Sequence, residues 1–152
     1  MRTFWLVLHV LAAITAVGPE LGFGMLGPRA RKGDAATARV VYDAIAAVRA
    51  RIVYPALVLQ IISGMALVEI VGRSVMRQAW MSAAMTLYTM AIALVALVLV
   101  PGSMRARRAL AAGTDPTDEG LRPLWKRQSL AGGAAGTFLI AVAILMVWQP
   151  GR

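Results

Sequence analysis

Four apolar runs dominate the chain, from Phe4 to about Leu26, from Ile52 to Val71, from Ala79 to Val100 and from Ser129 to Trp148. Each is close to the roughly 20 residues an α-helix needs to cross a hydrocarbon layer about 30 Å thick. Inside such a layer no water satisfies backbone N–H and C=O groups, so each run must form a helix or join a closed barrel. None of the four alternates as a strand does. The expected fold is therefore all-α: a polytopic membrane protein whose single domain, residues 1–152, is a bundle of four transmembrane helices. Composition agrees, with 59% hydrophobic and 15% charged residues against about 45–50% and about 25% in soluble domains. The first run reads as a span rather than a signal peptide, because only Arg2 precedes it and it continues into Gly18-Pro19-Glu20 without a small-residue cleavage site.

A net charge of +9 would point to nucleic acid in a soluble protein, but here the charges sit between spans. Loop one (27–51) holds Arg29, Arg31, Lys32, Arg39, Arg49 and Arg51; loop three (101–128) holds Arg105, Arg107, Arg108, Arg122, Lys126 and Arg127. Only Arg2, Arg73, Arg77 and Arg152 fall on the other side. This asymmetry predicts both loops in the cytoplasm and both termini outside, and no nucleic-acid partner. Trp5, Trp80 and Trp148 fall at the outer ends of the spans, where an indole keeps its N–H wet.

The loops carry their own helical signals. Asp34 is suited to cap a helix over 35–51, in which Arg39 and Asp43 are spaced as an i,i+4 pair, and which runs into the second span as one long helix bent at Pro55. In loop three, Ser103 is placed to cap a short basic helix ending at Gly113. Thr114-Asp115-Pro116 reads as a turn leading into the next helix. Basic residues 105–108 are solvated topology anchors, with contact to anionic lipid as the alternative.

Within the spans, ionisable groups are scarce and expensive. His9 and Glu20 lie 11 residues apart on one helix face, about 16 Å along the axis, with Ala12, Ala13 and Ala16 between them. Such a face must meet protein or a cavity. Close packing is one reading, since Gly18-x-x-x-Gly22 and Gly132-x-x-x-Gly136 permit near approach; a ligand surface is the other. Pro19 frees the carbonyl of Thr15 just before Glu20. Gln60 and Ser63 sit near mid-membrane, where hydrogen bonding between helices explains them most simply.

By depth, His9, Met65 and Met85 share one level, roughly 8–9 Å below the outer boundary. Glu69 lies one turn above Met65 and is placed to orient an imidazole N–H. A His9 site for haem b with Met65 or Met85 as second ligand, or a softer copper site from His9, Met81 and Met85, is compatible with these depths, beside a purely packed reading. Other chemistries lack parts. With no cysteine there is no thiolate site, with one histidine no His pair, and no serine–histidine–acid set is in place. Gly22-Phe23-Gly24 lacks the strand and spacing of a phosphate-binding loop. A non-catalytic accessory or cofactor-holding protein is the expectation, working in the bilayer as a homo-oligomer or as a subunit of a larger membrane complex.

Several short motifs carry a family resemblance: Leu8-His9-Val10-Leu11, Pro55 with Gln60, Ser63-Gly64 and Leu67, Trp80 through Leu87-Tyr88 to Pro101, and Leu145-Met146-Val147 with Pro150. Together they resemble the bacterial integral-membrane family called domain of unknown function twenty-two sixty-nine, over nearly the whole chain. The family has no assigned reaction, and the resemblance implies a multi-pass protein of the bacterial inner membrane. Its first helix is in turn similar to CopD-like copper-resistance proteins and HemJ-type protoporphyrinogen oxidases, which implies metal or haem work at His9. The third span has no Lys or Arg between Gln78 and Val100, where a HemJ-like site would want a cation.

Overall fold

A computed structural model describes residues 1–150. Helix α1 spans Arg2–Ala30, α2 Ala35–Val48, α3 Tyr54–Val71, α4 Ala79–Leu94, α5 Val100–Ala111 and α6 Arg122–Trp148. No strand occurs among the described residues. Four helical rods are long and apolar enough to cross a membrane: Arg2–Ala30, Ala35–Val71, Ala79–Ala111 and Glu119–Trp148. The fold class read from the sequence is thus the one observed.

The rods outrun the apolar runs. Ala35–Val71 has 37 residues, about 55 Å at about 1.5 Å per residue, well beyond a hydrocarbon layer of about 30 Å. Two prolines inside these rods are absorbed in the same way. Pro55 and Pro101 have no N–H, and their rings crowd the carbonyls four residues back, Arg51 and Leu97. Those residues are the centres of two π-helical turns, Arg49–Val53 and Val95–Leu99. Widening the helix there relieves the clash and lets the chain continue through each proline. α1 likewise continues through Pro19 and Pro28 to Ala30.

Membrane-level packing uses small residues. α1 lies along α3 and α6, and α4 along α6. Their shared core includes Ala16, Ala56, Leu57, Ala84, Ala91, Val95, Leu99, Ala135 and Leu139. Tyr88 on α4 ties its hydroxyl to the carbonyl of Leu57 on α3 at 2.6 Å. A second core, built from Ala30, Ala38, Tyr42, Ile45, Ala106, Leu110 and Trp125, joins the loop-side ends of the rods. Tyr42 and Trp125 pack with ring centroids 4.9 Å apart, and the Arg31 guanidinium lies 5.1 Å from the Trp125 ring. Loops one and three therefore form one folded cap at a single end of the bundle.

Local signals in the cap are met in part. Asp34 caps α2, accepting the Thr37 N–H at 2.7 Å, and this bond holds its carboxyl below the usual carboxylate range. Asp43 does not pair with Arg39; it binds Arg107 of α5 at 2.6 Å, because the cap brings α2 and α5 together. Ser103 is no helix cap either. It lies inside the continuous rod Ala79–Ala111 and donates to the Val100 carbonyl at 2.9 Å. α5 ends at Ala111, and Gly113 just beyond its cap takes a φ of +85° that suits glycine. Pro116 remains in a turn while Pro123 occupies the first turn of α6. Trp80 is packed into the bundle at 4% exposure rather than lying open at the boundary.

Candidate functional site

Two polar constellations interrupt the apolar bundle. In the half away from the cap, His9 of α1 faces Ser63 of α3, with Nδ1 3.0 Å from Oγ. Ser63 is fully buried, and its Oγ lies 2.8 Å from the Leu59 carbonyl and 3.2 Å from that of Gln60. A carbonyl can only accept, so the single serine hydrogen is committed to the α3 backbone, and the imidazole must donate its Nδ1–H to Oγ. The tautomer follows: Nε2 carries the free lone pair. The half-buried ring also meets the backbone of Gln60. The imidazole sits against Gly64, where a Cβ would lie 3.2 Å from Cε1. One turn toward the cap, the Oε1 of Gln60 is buried with no hydrogen-bond partner, an acceptor without a donor.

The second constellation lies where the rods enter the cap. Arg49 holds Glu20 in two contacts, Nε–Oε1 at 2.8 Å and Nη2–Oε2 at 2.9 Å, with side chains 6% and 1% exposed. Its Nη1 donates to the Oε1 of Gln128 at 3.0 Å, and its guanidinium lies 5.3 Å from the Phe23 ring. Gln128 in turn reaches the carbonyls of Val98 and Leu99 at 3.4 and 3.3 Å. Those carbonyls belong to the π-helical turn before Pro101, as Arg49 belongs to the one before Pro55, and Glu20 follows Pro19. Three proline-bearing rods thus meet α6 at one buried network. Gly102 makes room for it, since a Cβ there would stand 1.7 Å from Gln128 Nε2 and 2.9 Å from Cδ.

Glu20 had a readable sequence signal, an acid inside a span. Arg49 and Gln128 had none: Arg49 is one of six basic residues in its loop, and Gln128 adjoins the start of a span. His9 and Glu20 do share one face with Ala12 and Ala16, but those alanines are 4% and 0% exposed because helix packing consumes the strip. Glu69 does not approach His9. It is exposed and pairs with Arg73 one turn on, at 2.8 Å. Met65, two positions past Ser63, lies on the far side of α3 at 64% exposure, and Met85 is 40% exposed on α4. Met81 is buried in α4, which shares no substantial interface with α1. No group of three or more His, Cys, Asp or Glu suited to a metal ion occurs among the described residues.

A porphyrin held by His9 and a second ligand from the same chain does not fit this arrangement, because the alanine strip is packed and Met65 and Met85 are exposed, Met85 on a helix that shares no substantial interface with α1. The residues fit a single imidazole ligand, offered through Nε2 and braced from behind by Ser63. What fold and site define is a four-helix polytopic membrane protein, locked by an ion pair at its cap and carrying one polar point in its other half. The chain belongs to the family described as predicted integral membrane protein (DUF2269), whose family model matches residues 3–150. Nothing matches it among curated proteins or among solved structures.

Proposed function

We propose that this chain is a non-catalytic membrane subunit that offers His9 to a cofactor, haem b ahead of copper, at an edge completed by a second copy or another subunit of a membrane complex. The observation that carries this reading is the oriented imidazole: the Ser63 hydroxyl, itself bonded to the Leu59 carbonyl, favours the proton on Nδ1 and so the lone pair on Nε2. Ligating histidines are braced in this way by a hydrogen bond to the other nitrogen. Haem b would be held from this chain by His9 alone and would supply one-electron chemistry. The second ligand must come from the partner, since Met65 and Met85 face elsewhere.

Absorption and metal content of the protein, extracted gently from membranes, test this. A Soret band is expected, in particles larger than one chain, and His9→Ala abolishes it. Ser63→Ala weakens retention of the metal by about 10–100-fold, the usual cost of losing such a brace. Stoichiometric copper without a Soret band would select the copper form. A colourless, metal-free preparation in which His9→Ala only lowers the melting temperature would overturn both and leave packing as the role of His9.

We further propose that the protein lies in the bacterial inner membrane with the basic cap in the cytoplasm and both termini outside, the orientation that the charge asymmetry favours. The chain has no cysteine, so single substitutions report cleanly. An impermeant thiol reagent applied to intact cells lacking an outer membrane should label Ser74→Cys and spare Arg107→Cys. Labelling at position 107 would reverse the orientation.

A further inference from the structure

A groove runs down the outside of the bundle between the α4–α5 rod and α6. Its wider, more open part, about 560 Å³, is walled by Leu94, Val98, Leu130, Ala131 and Ala134, with Lys126 and Arg127 at the cap-side rim. A narrower, more enclosed part of about 150 Å³ shares Val98 and Arg127 with the first and adds Arg105, so the two adjoin along one groove. From Leu94 to Arg105 the wall rises about 16 Å along the helix. That matches the upper part of an acyl chain.

Many cations of the cap carry no ion pair among the described residues, and three of them gather at this rim. Arg31, Arg49 and Arg107 are spent on Ser129, Glu20 and Asp43. Arg105, Lys126 and Arg127 are exposed and have no ion pair among the described residues. They stand at the level where the helices leave the apolar layer, which is the level of lipid phosphates. A soluble anion would have no use for the apolar trench below them, and an apolar helix would have no use for the cations.

We infer that this groove binds one anionic phospholipid, its phosphate between Arg105 and Arg127 and an acyl chain against Leu94, Val98 and Ala134. The site is separate from His9 and does not depend on any cofactor.

Native mass spectrometry of the full chain, offered phosphatidylglycerol or phosphatidylcholine with identical acyl chains, tests this. Phosphatidylglycerol should be retained about tenfold or more over phosphatidylcholine, and Arg105→Ala with Arg127→Ala should remove that preference. Removing equal charge elsewhere on the cap, by Arg39→Ala with Arg108→Ala, should leave it intact. Ala134→Leu, which fills the apolar part without altering charge, should weaken retention of the lipid. Equal binding of the two lipids would overturn the proposal, as would an equal loss from the control pair, which would mean diffuse attraction. Glycerol phosphate competing as well as whole lipid would overturn it too. Should the groove pair fail to fold, undiminished binding in Ala134→Leu suffices to reject the site.

Discussion

Arg49→Ala is expected to destabilise the bundle by about 3–5 kcal/mol, because it leaves the carboxylate of Glu20 buried with no counter-charge. Unfolding in a detergent titration, or the shift in melting temperature, reads this directly. The physical cause is desolvation rather than the strength of the bond, so the double change tells more than the single one. Glu20→Leu with Arg49→Met removes both charges at similar volume and should recover most of the loss, since a buried pair replaced by apolar residues is often neutral. A single variant within about 1 kcal/mol of the parent would mean that water reaches the pair and that the network holds nothing together.

Gly102→Ala is the second large effect, and its sign depends on Gln128. In the parent, an added Cβ would stand 1.7 Å from Gln128 Nε2 and 2.9 Å from Cδ, so the amide must leave its place. It cannot leave without cost, because it carries bonds to Arg49 and to the Val98 and Leu99 carbonyls. We expect a net loss of about 2–3 kcal/mol, after allowing about 1 kcal/mol for the better helix propensity of alanine. With Gln128→Ala already present there is nothing to evict, and Gly102→Ala should become neutral or stabilising. If it is equally harmful in both backgrounds, close packing of the α5 backbone and not the Gln128 amide is what glycine serves.

The two polar constellations divide the labour of the bundle. At the cap, Arg49, Glu20 and Gln128 bind together the rods that carry Pro19, Pro55 and Pro101, and every hydrogen bond from Arg49 goes to a buried acceptor. In the other half, beside the imidazole of His9 on Ser63, Gln60 retains a buried acceptor with no donor. A satisfied network rigidifies, whereas unsatisfied acceptors are where a ligand or partner has something to add. That contrast is why the functional proposal rests on His9 and the stability predictions rest on Arg49 and Gly102.

Much of this was legible in the chain itself. Run length against bilayer thickness determined four helices, and Asp34 and Gly113 marked where α2 begins and α5 ends. The placement of basic residues singled out loops one and three as alike, and the structure joins them in one cap through Tyr42, Ala106 and Trp125. Glu20 and His9 marked a face that must meet protein or a cavity. Which arginine answered it was decided only by tertiary structure, as were the pairing of Asp43 with Arg107, the turn of Glu69 away to Arg73, and the meeting of His9 with Ser63. The reason is physical. In a soluble helix the apolar stripe reveals which side faces the core, but lipid is as apolar as the core of a membrane bundle, so these helices are apolar all round. Depth along each helix could be counted from the sequence, whereas rotation about its axis came only from packing, and it is rotation that decides which side chains touch.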